Sequence, residues 1–297
     1  MRERGFFTGK ELRRVPLPPW LRKRIQIGGA QGKVLGVLEE LRLRTVCQEA
    51  ICPNITECFS RSTATFIILG DACTRGCGFC AVKRGRPQPV EEDEPERLSE
   101  AVRSLGLKYV VVTSVTRDDL PDGGSGHFRR VILTLKRHKH LKIEVLVPDF
   151  QGVCQNLEAV LEAGPEVFAH NVETVPRLYA EVRSGAFYKR SLRVLEFAKK
   201  QSKNIYTKSG LMLGLGERKE EVLAVLRDLR RTGCDMVTLG QYLRPSMHHR
   251  AVERFIEPGE FEEYGEIARS LGFLEVQAGP FVRSSYYAEA LLKGAER

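Results

Sequence analysis

Nowhere in the 297 residues is there a run of about 18 or more apolar residues, so no helical membrane span is expected. No apolar signal-peptide core follows Met1. The basic N-terminal stretch carries Glu3 and Glu11 and little serine, unlike an organelle transit peptide. A cytoplasmic location is therefore the expectation. No internal repeat or low-complexity tract is evident, which leaves one large α/β domain with extensions, or two smaller domains, for this length. Without a secretory signal, the eight cysteines read as metal ligands rather than disulfide partners.

What is present centres on Thr63 to Cys80, TATFIILGDACTRGCGFC. An apolar, β-branched run is followed at once by Cys73, Cys77 and Cys80, spaced C-x3-C-x2-C. A strand ending in a tight, glycine-bearing loop can aim three thiolates at one spot. Three thiolates can bind three irons of a 4Fe-4S cube and leave the fourth open to a substrate or cosubstrate. The alternative is a zinc knuckle, but zinc takes four tetrahedral ligands and no fourth Cys or His lies nearby in sequence. Just upstream stand Cys47, Cys52 and Cys58 in CQEAICPNITEC, spaced C-x4-C-x5-C. Pro53 and Asn54 make a turn there, so this trio reads as a loop and not a helix face. A second cluster is the expectation, with structural zinc or buried thiols as the alternatives. Cys154 and Cys234 stand alone and read as small apolar residues.

From Thr63 onward, short apolar strands alternate with helical stretches. Strands are expected at 65–70, 109–114, 143–147, 167–172, 205–213, 236–242 and 274–278. Helices are expected at 95–105, 125–137, 153–163, 189–201, 217–232 and 260–271, preceded by a short helix over 33–43 and a basic arm over 1–26. Such alternation implies parallel strands and crossover helices, here a partial (βα)6 TIM-like barrel with N-terminal and C-terminal extensions. Active sites of barrels lie at the C-terminal ends of the strands. Polar groups expected at that mouth are Thr113 and Ser114, the acidic and flexible loop RDDLPDGG from Arg117 to Gly124, Asp149, His170, Lys208, Ser209 and Arg244. His170 reads as a satisfied structural residue. Asn171 and Glu173, two apart on one strand, share a face. Glu173 is a candidate ribose or amino-group contact, or else one half of a buried pair with Arg177 or Arg183. Gly214 and Gly216 would let backbone approach a nucleoside, or simply begin the next helix. The run EEDEPE, Glu91 to Glu96, reads as a solvated helix start. A net charge of +9 suggests an acidic partner, protein or nucleic acid. No stacking aromatics interleaved with basic residues stand out, which argues against RNA.

C-x3-C-x2-C with Phe79 before its last cysteine resembles the signature of the radical S-adenosylmethionine superfamily. That resemblance implies S-adenosylmethionine on the open iron, a 5′-deoxyadenosyl radical, and a partial barrel. Both trios together, with RSSY at Arg283 to Tyr286 and the stretches TSVTRDDLPDGG, ETVPRLY, TKSGLMLGLGE, GQYLRPS and GPFVRSSY, resemble the lipoyl synthase family over about residues 15–290. Thr116, where the family usually has an acid, and Val147, where it has threonine, are departures that touch no cysteine.

The resemblance implies radical insertion of sulfur at C6 and C8 of a protein-bound octanoyl-lysine, one S-adenosylmethionine per C–H bond. It also implies two 4Fe-4S clusters. The one on Cys73, Cys77 and Cys80 makes the radical, and the one on Cys47, Cys52 and Cys58 donates sulfur, with a serine of RSSY as its fourth ligand. Ser285 is preferred to Ser284; on chemistry alone both are loop hydroxyls. Phe79, Asn171, Glu173, Gly214 and Gly216 are the expected cofactor contacts. The domain division that follows is an auxiliary-cluster extension over 1–62, the barrel over 63–280 and a tail over 281–297. Expected partners are octanoylated lipoyl carriers (2-oxoacid dehydrogenase E2 subunits and the glycine cleavage H protein) and an electron donor such as ferredoxin or flavodoxin, with no membrane and no nucleic acid. The competing readings are a tRNA methylthiotransferase and a non-catalytic iron–sulfur carrier.

Overall fold

The run YVVVTS is buried from Tyr109 to Thr113. Its alternate side chains point into the barrel and out toward covering helices, so both faces of the strand are dry. The same pattern recurs along the chain and builds the sheet. The structure, a computed structural model, describes residues 16–22, 29–50, 52–60, 64–202 and 204–296. Most of the arm expected over 1–26, and the junction at 62–63, lie outside them. Where the arm is described, the Trp20 indole donates to the Ile256 carbonyl at 3.2 Å and so holds it against the barrel.

In chain order the elements are α1 (Gly29–Glu40), β1 (Arg44–Thr45), α2 (Val46–Glu49), α3 (Ile55–Ser60), β2 (Thr65–Ile68), β3 (Ala72–Cys73), β4 (Lys83–Arg84), α4 (Glu94–Leu105), β5 (Tyr109–Ser114), α5 (Ser125–Leu135) and β6 (Lys142–Leu146). They continue as α6 (Cys154–Glu162), β7 (Val167–Ala169), α7 (Tyr179–Val182), α8 (Tyr188–Gln201), β8 (Tyr206–Leu213), α9 (Lys219–Arg231), β9 (Met236–Gln241), α10 (Pro258–Ser270), β10 (Glu275–Gly279) and α11 (Ala288–Ala295). The main sheet runs β1-β2-β5-β6-β7-β8-β9-β10, and β3 pairs with β4 apart from it. Among the described residues, neighbours in this sheet are parallel from β2 to β10, and β1 alone is antiparallel. Helices α4, α5, α6, α8, α9 and α10 each follow a strand, which is the expected partial (βα)6 barrel with one further strand.

The helices form because their apolar residues recur at the helical period. In α9, Val222, Val225, Leu226 and Leu229 are buried on one stripe. Each such side chain contributes roughly 1.5–3 kcal/mol by leaving water. Apolar clusters lie between the helices and the outer strand faces, for instance Phe66, Val110, Val112 and Phe128 on one side and Leu211, Val237, Leu239 and Phe261 on the other. A third cluster joins Tyr109, Val111, Val167 and Met236, near the strand starts, to Ala288, Leu291 and Leu292 of α11. This helix, absent from the sequence expectations, closes the barrel at the end opposite the mouth.

Several expectations need correction. The strand expected over 167–172 stops at Ala169, so Asn171 and Glu173 lie beyond it. Lys208 does not face the mouth. It is fully buried near the strand starts, with Nζ 2.9 Å from Glu144 Oε1. Glu94 is not solvated: it accepts from the Leu69 amide at 3.0 Å and lies 2.6 Å from His127 Nε2. The loop Arg117 to Gly124 is pinned rather than loose, because buried Arg117 donates to the Leu69 carbonyl at 3.1 Å and pairs with Asp119 at 2.9 Å. The Cys47–Cys58 segment is a turn at Pro53 and Asn54 between two short helices, α2 and α3, rather than loop throughout.

Candidate active site

Strand β2 ends at Ile68, and the chain turns through Leu69 and Gly70, both at positive φ, 69° and 103°. The loop that follows carries Cys73, Cys77 and Cys80 at the C-terminal end of the strand. It is fixed at several points. The Gly78 amide donates to the Val182 carbonyl at 2.9 Å, and the Cys80 amide to the Cys77 carbonyl at 3.1 Å. Arg75, in the middle of the motif, donates to Asp118 at 2.7 Å and to Asp149 at 2.7 Å. Asp149 also accepts from Arg190 at 2.8 Å. One guanidinium therefore ties the cysteine loop to the loops after β5 and β6. Burial opposes ionisation of Asp149, but the hydrogen bond and charge of Arg75 outweigh it and lower its pKa to about 2.

The amides of Thr116 and Arg75 point at Cys73 Sγ, at 3.3 and 3.4 Å. Such N–H groups favour the thiolate that a metal requires. Burial pushes the Cys80 thiol up to about 12 and raises Cys77 as well; Cys73 adds to the rise at both, and Cys77 to that at Cys80. Binding iron therefore displaces protons from these groups. Among the described residues no three His, Cys, Asp or Glu side chains are placed to hold a single ion. A cube offers a separate iron to each thiolate, so its ligands need not converge on one point. Phe79 lies against the apolar cluster beneath α9 and steadies the loop beside Cys80.

Asn171 and Glu173 do meet: the Asn171 amide donates to Glu173 Oε1 at 3.0 Å. Glu173 sits at φ 64°, and its pKa is raised by burial against the opposing pull of Arg183 and Asn171. Both Glu173 and Arg183 act electrostatically on Cys77, which places them beside the cysteine loop. Arg177 is engaged elsewhere, with Glu221 at 2.8 Å. Asn171 Oδ1 and Ser114 Oγ, at the strand ends, are buried without a partner among the described residues. Buried polar atoms of this kind suit a polar ligand. His170 is satisfied, with Nδ1 2.8 Å from the Val147 carbonyl and Nε2 2.9 Å from Ser191 Oγ. Ser209 donates to the His170 carbonyl at 2.9 Å. Gly214 and Gly216 both lie at φ 100°. A Cβ at Gly214 would come within 2.3 Å of Gln241 Nε2, so that face of the backbone is packed against protein.

The second trio sits in a separate cavity. Cys47, Cys52 and Cys58 line it from one side, and Arg283, Ser285 and Tyr286 from the other. Burial drives the Cys47 thiol up to about 11. The tail reaches the trio through contacts that sequence reasoning missed. The Asn54 amide donates to the Phe281 carbonyl at 2.7 Å. Tyr286 and Tyr287 both donate to Glu57 Oε1, at 2.9 and 2.8 Å. The Val282 carbonyl crosses β9 so closely that a Cβ on Gly240 would stand 2.1 Å from it. The one signal in the sequence is position: Asn54 and Glu57 lie inside the cysteine spacing. Thiols at both sites, with amides aimed at Cys73 Sγ and an unpartnered Asn171 Oδ1 at the strand ends, fit iron–sulfur cubes and a polar cosubstrate. A larger groove between α8 and α9 is lined by Lys189, Arg193, Asp228 and Arg231 among others and by no cysteine.

The family model described as the Radical SAM superfamily matches residues 67–229. The lipoyl synthase of Caldicellulosiruptor saccharolyticus is 58% identical over 277 residues, spanning 93% of this chain and 97% of its own. That of Aquifex aeolicus is 55% identical over 262 residues, 88% of this chain and 95% of its own. Among solved structures, methylornithine synthase aligns with a TM-score of 0.52 at 17% identity, over 76% of this chain and 75% of that one. HydG, a maturase of the FeFe-hydrogenase, aligns at 0.56 and 14% identity, over 84% and 68%. At such identities these two likenesses carry the fold alone.

Proposed function

Because the chain belongs to the lipoyl synthase family of the radical SAM superfamily, we propose a division of that enzyme's work among the residues described above. The protein is a sulfurtransferase that inserts sulfur at C6 and C8 of a carrier-bound octanoyl group, using S-adenosylmethionine and 4Fe-4S clusters. When bound, these groups supply the hydrogen-abstracting radical and the sulfur; the protein positions them.

Cys73, Cys77 and Cys80 hold the radical-forming cluster. Cys47, Cys52, Cys58 and Ser285 hold the sulfur donor. Phe79, Asn171, Glu173, Gly214 and Gly216 are assigned to the cosubstrate's surroundings. Arg75 keeps the radical loop fixed on Asp118 and Asp149, and the amides of Thr116 and Arg75 steady the Cys73 thiolate. Residues 1–62 serve as the extension bearing the donor site, 63–280 as the barrel and 281–297 as the tail. The observation that carries this reading is the shared cavity of the Cys47, Cys52 and Cys58 trio with Ser285, which lies 227 positions beyond Cys58 (285 minus 58).

Anaerobic reconstitution tests it. Wild-type protein takes up two cubes and Cys47→Ala about one, by the count of thiolate trios. A wild type saturating at one cube would end the two-site reading. Activity on octanoylated carrier, and none on tRNA, separates it from a methylthiotransferase. Release of 5′-deoxyadenosine under reduction separates it from a passive carrier of clusters.

The carriers are assigned as 2-oxoacid dehydrogenase E2 domains and the glycine cleavage H protein, and the reductant as ferredoxin or flavodoxin. The net charge of +9 supports electrostatic steering of an acidic carrier. An association rate unchanged by salt would refute that steering. Among the described residues no helix is long and apolar enough to cross a membrane.

A further inference from the structure

Arg283 presents an electrostatic mismatch. Its side chain lines the cavity of the Cys47, Cys52 and Cys58 trio. It is half-buried, and its guanidinium lies over β9, where a Cβ on Gly240 would meet Nη1 at 3.4 Å. Its hydrogen bond goes to the carbonyl of its own neighbour Val282, at 2.7 Å. Among the described residues no carboxylate pairs with it, and the ionisable group that acts on it electrostatically is Cys52 of the trio. A cation drawn out of water without a partner is destabilising unless an opposite charge arrives. The cavity supplies the means, because three thiolates and an alkoxide outweigh the positive charge of an oxidised iron–sulfide core and leave the whole assembly anionic.

We propose that Arg283 is the counter-charge of the cluster held by Cys47, Cys52, Cys58 and Ser285, a positioning residue that raises that cluster's reduction potential and slows its loss. The inference rests on the two-site reading above and adds a residue to it. Arg283 belongs to the same tail as Ser285, so withdrawal of the tail removes a ligand and a balancing charge together.

The test uses the full chain carrying Cys73→Ala, which leaves the second site as the only one bearing its complete cysteine trio. Arg283→Met and Arg283→Lys are compared in that background after anaerobic loading. The readouts are the midpoint potential, followed by electron paramagnetic resonance, and the rate of iron loss to a chelator. Arg283→Met is expected to shift the potential to more negative values and to speed iron loss several-fold, while Arg283→Lys, which keeps the charge, stays near the parent. If Arg283 merely anchors the tail over Gly240, the melting temperature of Arg283→Met falls while its potential stays put, and the proposal is overturned. Should Arg283→Met fail to fold, Arg283→Gln against Arg283→Lys gives the same contrast. A Cys73→Ala parent that takes up no cluster overturns the assignment of the trio itself, an outcome distinct from an unmoved potential.

Discussion

Tyr287 donates its hydroxyl to Glu57 at 2.8 Å, joining a residue that follows RSSY to the one that precedes Cys58. Tyr286 donates to the same carboxylate oxygen at 2.9 Å, and the two rings meet edge to face with centroids 4.4 Å apart. The tail is thus clasped onto the cysteine segment by protein contacts alone. Hydrogen bonds to a charged acceptor contribute about 1.5–3 kcal/mol each, and the exposure of Tyr287 puts this clasp at the low end. Glu57→Ala is expected to cost about 3 kcal/mol and to lower iron retention at the second site while the first stays loaded. Denaturant unfolding together with iron counts checks both. Iron retention equal to wild type would mean that the clasp does not govern the site.

At the opposite end of the barrel, Lys208 donates to both carboxylate oxygens of Glu144, at 2.9 and 3.1 Å, and Tyr109 adds a third hydrogen bond at 2.5 Å. Both charges are out of water, so removing one partner strands the other. Lys208→Met or Glu144→Gln is expected to cost about 3–5 kcal/mol. The double variant Glu144→Gln with Lys208→Met costs less than the sum of the two singles, since no unpaired charge is left. Urea titrations of the single and double variants settle it; strict additivity would contradict a true ion pair.

That pair also marks a limit of what can be read from sequence. The strand holding Lys208 is legible because TKSGLML is an extended run ending in glycines, and the neighbouring strands announce themselves as β-branched runs. Which face a given residue takes depends on register, and register depends on partners such as Glu144, 64 positions away. Sequence alone therefore places Lys208 at the mouth, whereas it lies near the strand starts beside Glu144. The cysteine trios were legible because their chemistry is local. The approach of Ser285 to the second trio was not, since a loop serine carries no mark of its destination; only resemblance pointed there. Helix α11 went unanticipated because eight residues, AEALLKGA, give two turns of period and no strong cap.

The two glycines after β8 make a matched pair for testing backbone strain. Both sit at φ 100°, a region that disfavours any side chain. A Cβ at Gly214 would also lie 2.3 Å from Gln241 Nε2 and 2.4 Å from the Arg254 carbonyl, whereas at Gly216 the nearest atom, Glu253 Cγ, is 3.4 Å away. Gly216→Ala is expected to cost about 1–3 kcal/mol from the dihedral alone. Gly214→Ala costs more, because Gln241 bridges the Leu213, Tyr242 and Arg254 carbonyls and has nowhere to go. Melting temperatures of the two variants give the order, and equal losses would show that strain and not crowding decides.

His170 sets a pH dependence whose sign follows from its surroundings. Burial, helped by the positive charge of Arg183, lowers its pKa to about 4. In the unfolded chain the imidazole takes a proton near pH 6.5. Between those values the unfolded state binds the proton and the folded state refuses it, so stability falls as pH drops from about 6.5 toward about 4. The loss through this one group is at most about 3.4 kcal/mol. Above pH 6.5 both states are neutral and the contribution is constant. His170→Gln can keep a hydrogen bond to the Val147 carbonyl but has nothing to titrate. Its stability, measured against wild type from pH 7.5 down to pH 5, should fall less steeply. Acid effects on bound iron are common to both proteins and cancel in the difference. Parallel curves would assign the acid sensitivity to other groups and leave His170 a purely geometric link between β6 and α8.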